Sequence, residues 1–374
     1  MGYAAARGGL DSIRRAEDLV RILRDLDPSP EISLDQATGR LRLLVDRVMG
    51  EAGLWAPELA ARAIRQAEGD VIEAVHLLRA YKSTLPRLVV AETIHADEMR
   101  IARRIVPAFR EPGGPQLLGR STDYTARMLQ PVTAPESNLD QGTVLDDTNQ
   151  LSANGATDVE LEPSIPSMKR MINVLRDMHL LVERRRRDDP EPFDITRTPA
   201  KPPAPRSARL SSMARAETGS LVNQWYRNIL GSDGYLHEVT LGEVRNGSLP
   251  VIVMHPHLKQ PVEIGEFSVT EAEAIEDLDG INEDRTCFDV GYGMCLGHNE
   301  RKAIAMANLD IACERDRSGF ALEQAILMTT DGLDSAGFLE HLKLPHYVTF
   351  RSMVERKIAM RRFLNSGLKS GTTS

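Results

Sequence analysis

The sequence is poor in cysteine, has no long apolar run and carries no excess of positive charge. Its three cysteines, Cys287, Cys295 and Cys313, have spacings that match neither a zinc site nor an iron–sulfur motif. We therefore expect reduced thiols in a cytoplasmic protein rather than disulfides or a metal cluster.

Acidic residues outnumber basic ones by 54 to 46, which gives a formal net charge of −8. A general nucleic-acid binder would present a basic surface, so this balance argues against that class. No apolar stretch approaches the length that spans a membrane, and the N-terminus lacks the charged and apolar regions of a signal peptide. The sequence predicts a soluble, cytoplasmic protein with neither nucleic acid nor a membrane as its partner.

The fold class follows from length and pattern. With 374 residues, the chain is long enough for two domains or one large elaborated domain. We predict an α+β fold, in which a mainly helical N-terminal part precedes a mixed α/β C-terminal part with antiparallel hairpins. Residues 235–266 are the clearest β region, and the dipeptide Asn246-Gly247 predicts a hairpin turn within it.

Composition also suggests where the chain divides. We expect a helical N-terminal domain with a glycine-rich loop over residues 1–130 and a mixed C-terminal domain over 166–374. The stretch between them, 131–165, is acidic, polar and turn-rich, as a flexible connection would be.

Periodic apolar positions predict helices through most of the first ninety residues. One runs from about residue 11 to 25, a second begins after Ser33 as N-cap, and a third has Pro57 in its first turn. A fourth spans 71–85, with a buried stripe formed by Val71, Ala74, Val75, Leu78 and Tyr81. These helices would serve as scaffold or as subunit contacts.

A glycine-rich loop over residues 112–124 has the composition of a phosphate-binding loop. Glycines allow close backbone approach, and backbone N–H groups with a basic side chain bind oxyanions. No Gly-Lys-Ser/Thr ends the loop, so it is not a Walker A motif, and an ordinary turn-rich loop would share its composition.

Two further segments offer groups for an anionic ligand. Arg197 lies in an extended segment beside a proline-rich run, and binds either a polyanionic ligand or carboxylates of a neighbouring subunit. The run 291–299 leads into a helix predicted over about residues 300–314 with Asn299 as N-cap. His298 at this helix N-terminus suits an anion, although a tightly packed strand-to-helix turn would look identical.

Near the C-terminal end, two histidines flank a short connection. The apolar run 325–328 is predicted to be a buried strand, followed by a polar turn and a short helix over 333–341. Pro345 prevents the helix from continuing, which leaves His341 and His346 on either side of the break. Imidazole is the commonest neutral zinc ligand, so the pair is a candidate metal site. A capping histidine beside a surface histidine is the alternative.

Several motifs, taken in order, resemble the PhnI family, subunit I of the bacterial carbon–phosphorus lyase core complex. The resemblance covers nearly the whole chain except the acidic segment and the last few residues. The stretches that carry it are MGYAAARGG at the N-terminus, LVDRVMGEAG (44–53), EAVHLLRAYKSTL (73–85), QLLGRSTDYTARML (116–129), DITRTPA (194–200), GYGMCLGHNERKAIAMA (291–307) and HLKLPHY (341–347).

The resemblance implies a nucleosyl transferase of phosphonate metabolism. With other core subunits, such a protein displaces adenine from C1′ of MgATP by an alkylphosphonate such as methylphosphonate. The product is α-D-ribose 1-methylphosphonate 5-triphosphate, and the subunit alone would act as a nucleosidase. A separate radical iron–sulfur subunit would then break the carbon–phosphorus bond.

The resemblance also implies roles for particular residues. With it, we assign five residues of the glycine-rich loop to substrate binding, namely Gly114, Gln116, Gly119, Arg120 and Tyr124. It implies zinc at His341 and His346, near the interface with the radical subunit, and magnesium enters as MgATP. Breaking an N-glycosidic bond develops oxocarbenium charge, which a carboxylate near C1′ would stabilise, and the departing adenine needs a proton from a carboxylic acid or a histidine. Our candidates for these catalytic carboxylates are Asp123 and Glu340.

Two other functions remain open. A metal-dependent phosphohydrolase would need a denser cluster of His and Asp ligands than the sequence offers. A non-catalytic scaffold of the same complex would use the N-terminal helices and the arginines only to dock partners.

Overall fold

The computed structural model of the chain describes residues 9–107, 113–120, 168–182, 191–230, 240–277, 286–315, 320–340 and 347–370. Internal contacts divide the chain into two units that interleave along the sequence. Unit 1 comprises residues 1–88, 192–228 and 316–374, and unit 2 comprises residues 89–191 and 229–315. The division at residues 130 and 165 stays a prediction, because the whole of 131–165 lies outside the described residues.

The described residues form helices and one antiparallel sheet, so the predicted α+β class is confirmed. None of the described helices is long and apolar enough to cross a membrane. In chain order the elements are α1 (Gly9–Asp25), α2 (Leu34–Arg40), α3 (Arg42–Ala52), α4 (Pro57–Gln66), α5 (Val71–Ser83), β1 (Arg100–Ile105), α6 (Met171–Asp177), α7 (Arg206–Arg215), α8 (Thr218–Ile229), β2 (Thr240–Met254), β3 (Pro261–Asp277), β4 (Phe288–Leu296), α9 (Glu300–Arg315), α10 (Ala321–Thr329), α11 (Gly332–Glu340) and α12 (Tyr347–Ser370).

Unit 1 contains helices and no strand among its described residues. Its N-terminal helices begin where the sequence signals place them. Ser33 caps α2 through a capping box with Gln36, Pro57 opens α4, and the Asp70 carboxylate accepts hydrogen bonds from the first turn of α5. The helix predicted after Ser33 is in fact two, α2 and α3, which meet at Leu41.

The core of unit 1 lies between α2, α3, α4 and α5. Ala74, Val75 and Leu78 of the predicted α5 stripe are buried there. Tyr81 is 46% exposed, so its assignment to the stripe was wrong. It sits at the C-terminal end of α5, where a large ring with a polar hydroxyl remains at the surface.

The apolar run 325–328 is helical, and the strand predicted for it was wrong. The run lies inside α10, in which Glu323 and Ile326 are buried three positions apart. A run of four apolar residues is compatible with either a buried strand or a buried helix. Here the burial of residues three positions apart follows the helical period. The helix predicted next is confirmed as α11.

Unit 2 is organised around a four-stranded antiparallel sheet with the order β1-β2-β3-β4. The predicted hairpin is present, but its turn is not at Asn246-Gly247. Both residues lie in the middle of β2, and the chain reverses over residues 255–260 instead. Gly247 is needed there because a Cβ would lie 2.2 Å from the Arg100 carbonyl oxygen on β1.

One face of the sheet packs against α9 at unusually short range. A Cβ on Gly291 would lie 1.9 Å from the Ala307 carbonyl oxygen, and one on Gly293 would lie 2.2 Å from that of Ala303. The two glycines of β4 therefore allow the helix backbone to rest directly on the strand. This contact fixes the start of α9, and with it His298.

Candidate substrate site

The glycine-rich loop is held along the free edge of β1. Leu117 and Arg104 exchange backbone hydrogen bonds of 2.8 Å in both directions. The Gln116 amide extends this pairing, since it accepts from the Val106 N–H at 2.7 Å and donates to the Val106 carbonyl at 2.9 Å. The edge strand thus gains a partner, and the Gln116 side chain orders the loop.

Two of the predicted loop glycines occupy positions that other residues would strain. Gly119 has φ +57°, and a Cβ there would lie 2.6 Å from the Ala102 carbonyl oxygen. Gly114 has φ +127°, and its Cβ would lie 3.0 Å from Met168 and 3.2 Å from Nη1 of Arg104. The close approach expected of these glycines is therefore made to β1 and its neighbours.

Arg103 connects the loop to the segment that carries His298. Its Nη1 donates to the Leu118 carbonyl oxygen at 2.6 Å, and its Nε donates to the Glu300 carboxylate. His298 Nε2 lies 4.0 Å from the same Glu300 carboxylate. Structure therefore brings together two segments that sequence reasoning had proposed separately. Gly114, Gln116, Gly119, Arg120 and His298 all belong to unit 2.

Arg120 is the exposed basic residue of the glycine-rich loop. It ends the described loop on the solvent side, and no acceptor for its guanidinium occurs among the described residues. Backbone groups, an exposed arginine and a histidine at a helix start are the groups that recognise oxyanions.

The turn before α9 has a second role besides any ligand contact. The Thr270 hydroxyl donates to the Gly297 carbonyl at 2.7 Å and accepts from the Asn299 N–H at 3.0 Å. Asn299 in turn accepts from the Lys302 N–H at 3.2 Å, as predicted for an N-cap. Tight packing, the alternative explanation of this motif, accounts for Gly291 and Gly293.

Sequence reasoning missed a buried ionic network beneath the loop. Arg104 and Glu243 are both almost fully buried and lie 2.7 Å apart, Nε to Oε1. The same guanidinium donates to the Pro115 carbonyl at 3.3 Å and to that of Lys169 at 3.0 Å. Arg104 therefore holds the loop, β2 and the segment before α6 together, which compensates for burying its charge.

The network continues across β3 through two more arginines. Arg245 pairs with Glu271, and Arg170 pairs with both Glu271 and Glu273. Burial raises the pKa of Glu273 to about 7; Arg170 opposes the shift, and Glu271 and Glu243 add to it. The sequence signal was the alternation TEAEA at 270–274, which places glutamates on one face of β3 and small residues on the other.

Burial also raises the pKa of Tyr292, and Glu271 adds to this effect by its charge and its hydrogen bond with the hydroxyl. Tyr292 therefore remains a neutral hydrogen-bonding group inside the network.

Arg197, the residue of unit 1 that we predicted to bind an anionic ligand, is exposed, and its Nε lies 3.6 Å from the Asp194 carboxylate. Arg87 donates to Asp194 at 2.8 Å, and the hydroxyl and N–H of Thr196 donate to it as well. These bonds lower the pKa of Asp194, that from Arg87 most. The segment is thereby fixed by Asp194, and ligand binding by Arg197 stays a prediction.

The remaining candidates lie beyond what the structure describes. Asp123, Tyr124, His341 and His346 fall outside the described residues. Glu340 is the last residue of α11, but its side chain is also outside them. Among the described residues, no group of three or more His, Cys, Asp or Glu side chains is arranged to hold a metal. The catalytic and metal assignments stay predictions.

Comparison with known proteins gives a consistent result along the whole chain. Residues 2–363 match the family described as "Bacterial phosphonate metabolism protein (PhnI)". HtxH of Stutzerimonas stutzeri, provisionally named a C-P lyase subunit protein, is 42% identical over 364 residues, covering 95% of each chain.

Two relatives share the name alpha-D-ribose 1-methylphosphonate 5-triphosphate synthase subunit PhnI. The protein of Rhizobium meliloti (strain 1021) is 34% identical over 372 residues, which is 96% of this chain and 95% of the relative. That of Escherichia coli (strain K12) is 35% identical over 372 residues, 98% of this chain and 100% of the relative.

Proposed function

Because this chain belongs to the PhnI family of bacterial phosphonate metabolism proteins, we propose that it is the nucleosyl-transferring subunit of a carbon–phosphorus lyase complex. With partner subunits it displaces adenine from C1′ of MgATP by an alkylphosphonate such as methylphosphonate. The product is α-D-ribose 1-methylphosphonate 5-triphosphate, the compound in the names of two relatives. On its own it lets water attack C1′ and acts as a nucleosidase.

The observation that supports this proposal is the junction made by Arg103 in unit 2. The alkylphosphonate is already an anion, so it needs positioning more than deprotonation. Because it must approach a nucleotide that carries a negative triphosphate, positive groups have to hold both against their mutual repulsion. Arg103 brings the glycine-rich loop, with its exposed Arg120, to the helix start that carries His298. Backbone N–H groups, a guanidinium and an imidazole are groups that suit a phosphate or phosphonate.

The catalytic carboxylates complete the proposal. Asp123 lies in the same loop, three residues after Arg120, and is the first candidate for the carboxylate that acts near the ribose. Glu340 is the second candidate. A carboxylate near C1′ stabilises the developing oxocarbenium charge, and a carboxylic acid or a histidine protonates the departing adenine.

Zinc is proposed at His341, the residue after the end of α11, and at His346, five residues further along the sequence. A bound zinc would polarise phosphate or phosphonate oxygens as a Lewis acid. Partner subunits, including the radical iron–sulfur subunit, would meet the chain near this site.

The test is release of adenine from MgATP by the purified full chain, followed by chromatography. Wild type should release adenine with ribose triphosphate as co-product, and Asp123→Asn and Arg120→Gln should each slow this release. Arg62→Gln, which removes an exposed cation from α4 of unit 1, is the matched control and should leave the rate unchanged. No adenine from wild type, even with the partner subunits and methylphosphonate added, would contradict the proposal.

A scaffold without catalytic activity is the second candidate, and α12 favours it. This helix exposes several large apolar side chains, as a helix that docks on another subunit would. They include Met353, Ile358, Met360, Phe363 and Leu364. Assembly of the complex together with a wild-type chain that never releases adenine would support this candidate instead.

A further inference from the structure

One face of the sheet in unit 2 carries three buried carboxyl groups. Glu243 of β2 and Glu271 and Glu273 of β3 are only 2%, 1% and 2% exposed. Glu273 lies directly opposite Glu243 on one side and Tyr292 of β4 on the other, so these side chains share the face. Residues 168–177, which include α6 and are called here the cover segment, bind to it. Like charges directly opposite each other on neighbouring strands are destabilising, so ionising all three carboxyl groups is costly.

Two of these carboxyl groups accept hydrogen bonds from the start of α6. The Met171 N–H donates to Oε2 of Glu243 at 2.7 Å, and the Ile172 N–H donates to Oε2 of Glu273 at 3.3 Å. A carboxyl group can accept such a bond in both protonation states, because a protonated carboxyl group keeps its carbonyl oxygen. Protonation of Glu273 can therefore remove its charge while its contact with the cover segment is kept.

The charges on this face balance only when one carboxyl group is neutral. Among the described residues that meet here, the guanidinium groups are Arg104, Arg245 and Arg170, and the carboxyl groups are Glu243, Glu271, Glu273 and Asp97. Three ion pairs use all the guanidinium groups, so one carboxylate is in excess when all four are ionised. Asp97 is 64% exposed, so water stabilises its charge, and the excess falls on a buried group.

Glu273 is the buried group that holds the extra proton. Burial raises its pKa to about 7; Arg170 opposes this shift, Glu271 and Glu243 add to it, and Arg245 also opposes it. When the cover segment lifts from the sheet, Glu273 meets water and its pKa returns towards 4.5. The closed state therefore binds the proton more tightly than the open state. Stabilisation of closure by the proton is complete below about pH 4.5 and is lost as the pH rises to about 7.

The cover segment also contacts the start of the glycine-rich loop. The Lys169 N–H donates to the Gly113 carbonyl at 3.0 Å. The Lys169 carbonyl accepts from Nη2 of Arg104 at 3.0 Å, and Nη1 of the same guanidinium donates to the Pro115 carbonyl at 3.3 Å. Movement of the cover segment would therefore disturb the first residues of the loop.

We propose that Glu273 controls closure of the cover segment by binding a proton. The protonated carboxyl group keeps the segment on the sheet, and its ionisation loosens the segment together with the start of the glycine-rich loop. Proton binding and closure are coupled because the proton distinguishes the two states, as an allosteric ligand does. This control requires no nucleotide and no phosphonate, so it does not depend on adenine displacement.

Hydrogen exchange of backbone amides in the full chain, read by mass spectrometry, tests this closure. The quantity measured is the protection factor, the ratio of intrinsic to observed exchange rate, which corrects for the pH dependence of the exchange chemistry. For peptides covering residues 168–177, it should fall about tenfold from about pH 6 to about pH 8.5, given pKa values of 4.5 in the open state and about 7 in the closed state.

The same experiment separates local opening from unfolding of the whole unit. Amides in the middle of β2 and β3 report unfolding of unit 2, because these strands form the centre of its sheet. The cover segment should have lower protection factors than these strands at every pH, since it opens while the sheet remains folded.

Three variants connect the pH dependence to Glu273. Glu273→Gln keeps a hydrogen-bond acceptor without a titrating group, so its cover segment should lose most of the pH dependence. Arg170→Gln removes a cation that opposes the raised pKa, so the fall in protection should move to higher pH. Glu276→Gln is the matched control, because it removes a more exposed carboxyl group from the same strand and should keep the wild-type profile.

A protection factor of the wild-type cover segment that does not change with pH would overturn the proposal. So would a full tenfold fall in Glu273→Gln, or protection of the cover segment equal to that of β2 and β3. If Glu273→Gln does not fold, the wild-type pH series and the shift in Arg170→Gln decide the question. Exchange needs no turnover, so each of these results is independent of adenine release.

Discussion

Arg79 and Asp331 are 252 positions apart in the sequence and are joined side chain to side chain, with Nη1 of Arg79 lying 2.9 Å and 2.8 Å from the two carboxylate oxygens. The same guanidinium donates to the Glu51 carbonyl at the end of α3 and to the Arg215 carbonyl at the end of α7. Unsatisfied carbonyls accumulate at helix C-termini, and a cation there is doubly favourable. The pair therefore joins the N-terminal and C-terminal parts of the sequence within unit 1.

Replacing Arg79 should destabilise the protein strongly. Arg79→Met leaves the Asp331 carboxylate and two helix-end carbonyls without their donor, at an expected cost of about 3 kcal/mol in the free energy of unfolding. Arg65→Met is the control, because Arg65 is exposed and makes only long contacts, 3.5 Å to the Glu31 carboxylate and 3.4 Å to the Ile32 carbonyl, among the described residues. Its loss should cost roughly 0.5 kcal/mol or less. Urea denaturation followed by circular dichroism measures both. Equal shifts in the two variants would contradict the structural role of Arg79.

The contact between β4 and α9 predicts a sharp difference between two glycines. Gly293→Ala places a methyl group 2.2 Å from the Ala303 carbonyl, so α9 must move and stability should fall by about 2–3 kcal/mol. Gly337→Ala in α11 meets nothing within 4 Å and should stabilise by roughly 0.5–1 kcal/mol, since alanine favours helix. Thermal unfolding compares them. A Gly293→Ala variant as stable as wild type would exclude the close packing.

Loop geometry predicts a functional effect without a large loss of stability. Gly119→Ala combines a left-handed φ of +57° with a clash against the Ala102 carbonyl, so the end of the loop at residues 119–120 should move away from β1 while the pairing of Leu117 with Arg104 is kept. Adenine release should fall at least about tenfold while the melting temperature changes little. Gly39→Ala, which meets nothing within 4 Å, should keep the full rate. An active Gly119→Ala variant would remove this loop from the proposed site.

Glu273 predicts a pH dependence of stability with a definite sign. Burial raises its pKa from 4.5 to about 7 in the folded chain, so the folded state binds the proton more tightly than the unfolded state. This contribution to stability is therefore present at low pH and lost as the pH rises from about 4.5 to about 7. Relative to wild type, Glu273→Gln should gain about 2–3 kcal/mol over that window. Urea titrations at several pH values measure the difference.

A matched control for this titration is Glu276→Gln, which removes a carboxyl from a more exposed position on the same strand. A gain of the same size in this control would show that the effect does not arise from burial of Glu273.

The histidine pair predicts bound zinc. The purified full chain, assembled with its partner subunits and dialysed against metal-free buffer, should retain about one zinc per chain by mass spectrometry of the metal. His341→Ala/His346→Ala should lose it while the complex stays assembled. Equal zinc in both preparations would assign the metal to other residues.

The sequence by itself determined the local elements and the family. Ser33, Pro57 and Asn299 mark the starts of helices because the first turn of a helix has unpaired N–H groups, a requirement that acts within four residues. The loop glycines were identified from the local composition of the loop, and two of them, Gly114 and Gly119, have a positive φ, which is also a local property. Seven motifs in order carried the family resemblance, which the match over residues 2–363 confirms.

Only the tertiary structure decided which distant residues meet. Asn246-Gly247 reads as a turn, but the glycine is required by a neighbouring strand, which local sequence does not encode. The run 325–328 is too short for its period to separate strand from helix. The ionic network of Arg104, the bridge made by Arg103 and the pair of Arg79 with Asp331 depend on side chains brought together from separate segments. Long-range packing sets their burial, and burial sets their charge and their chemistry.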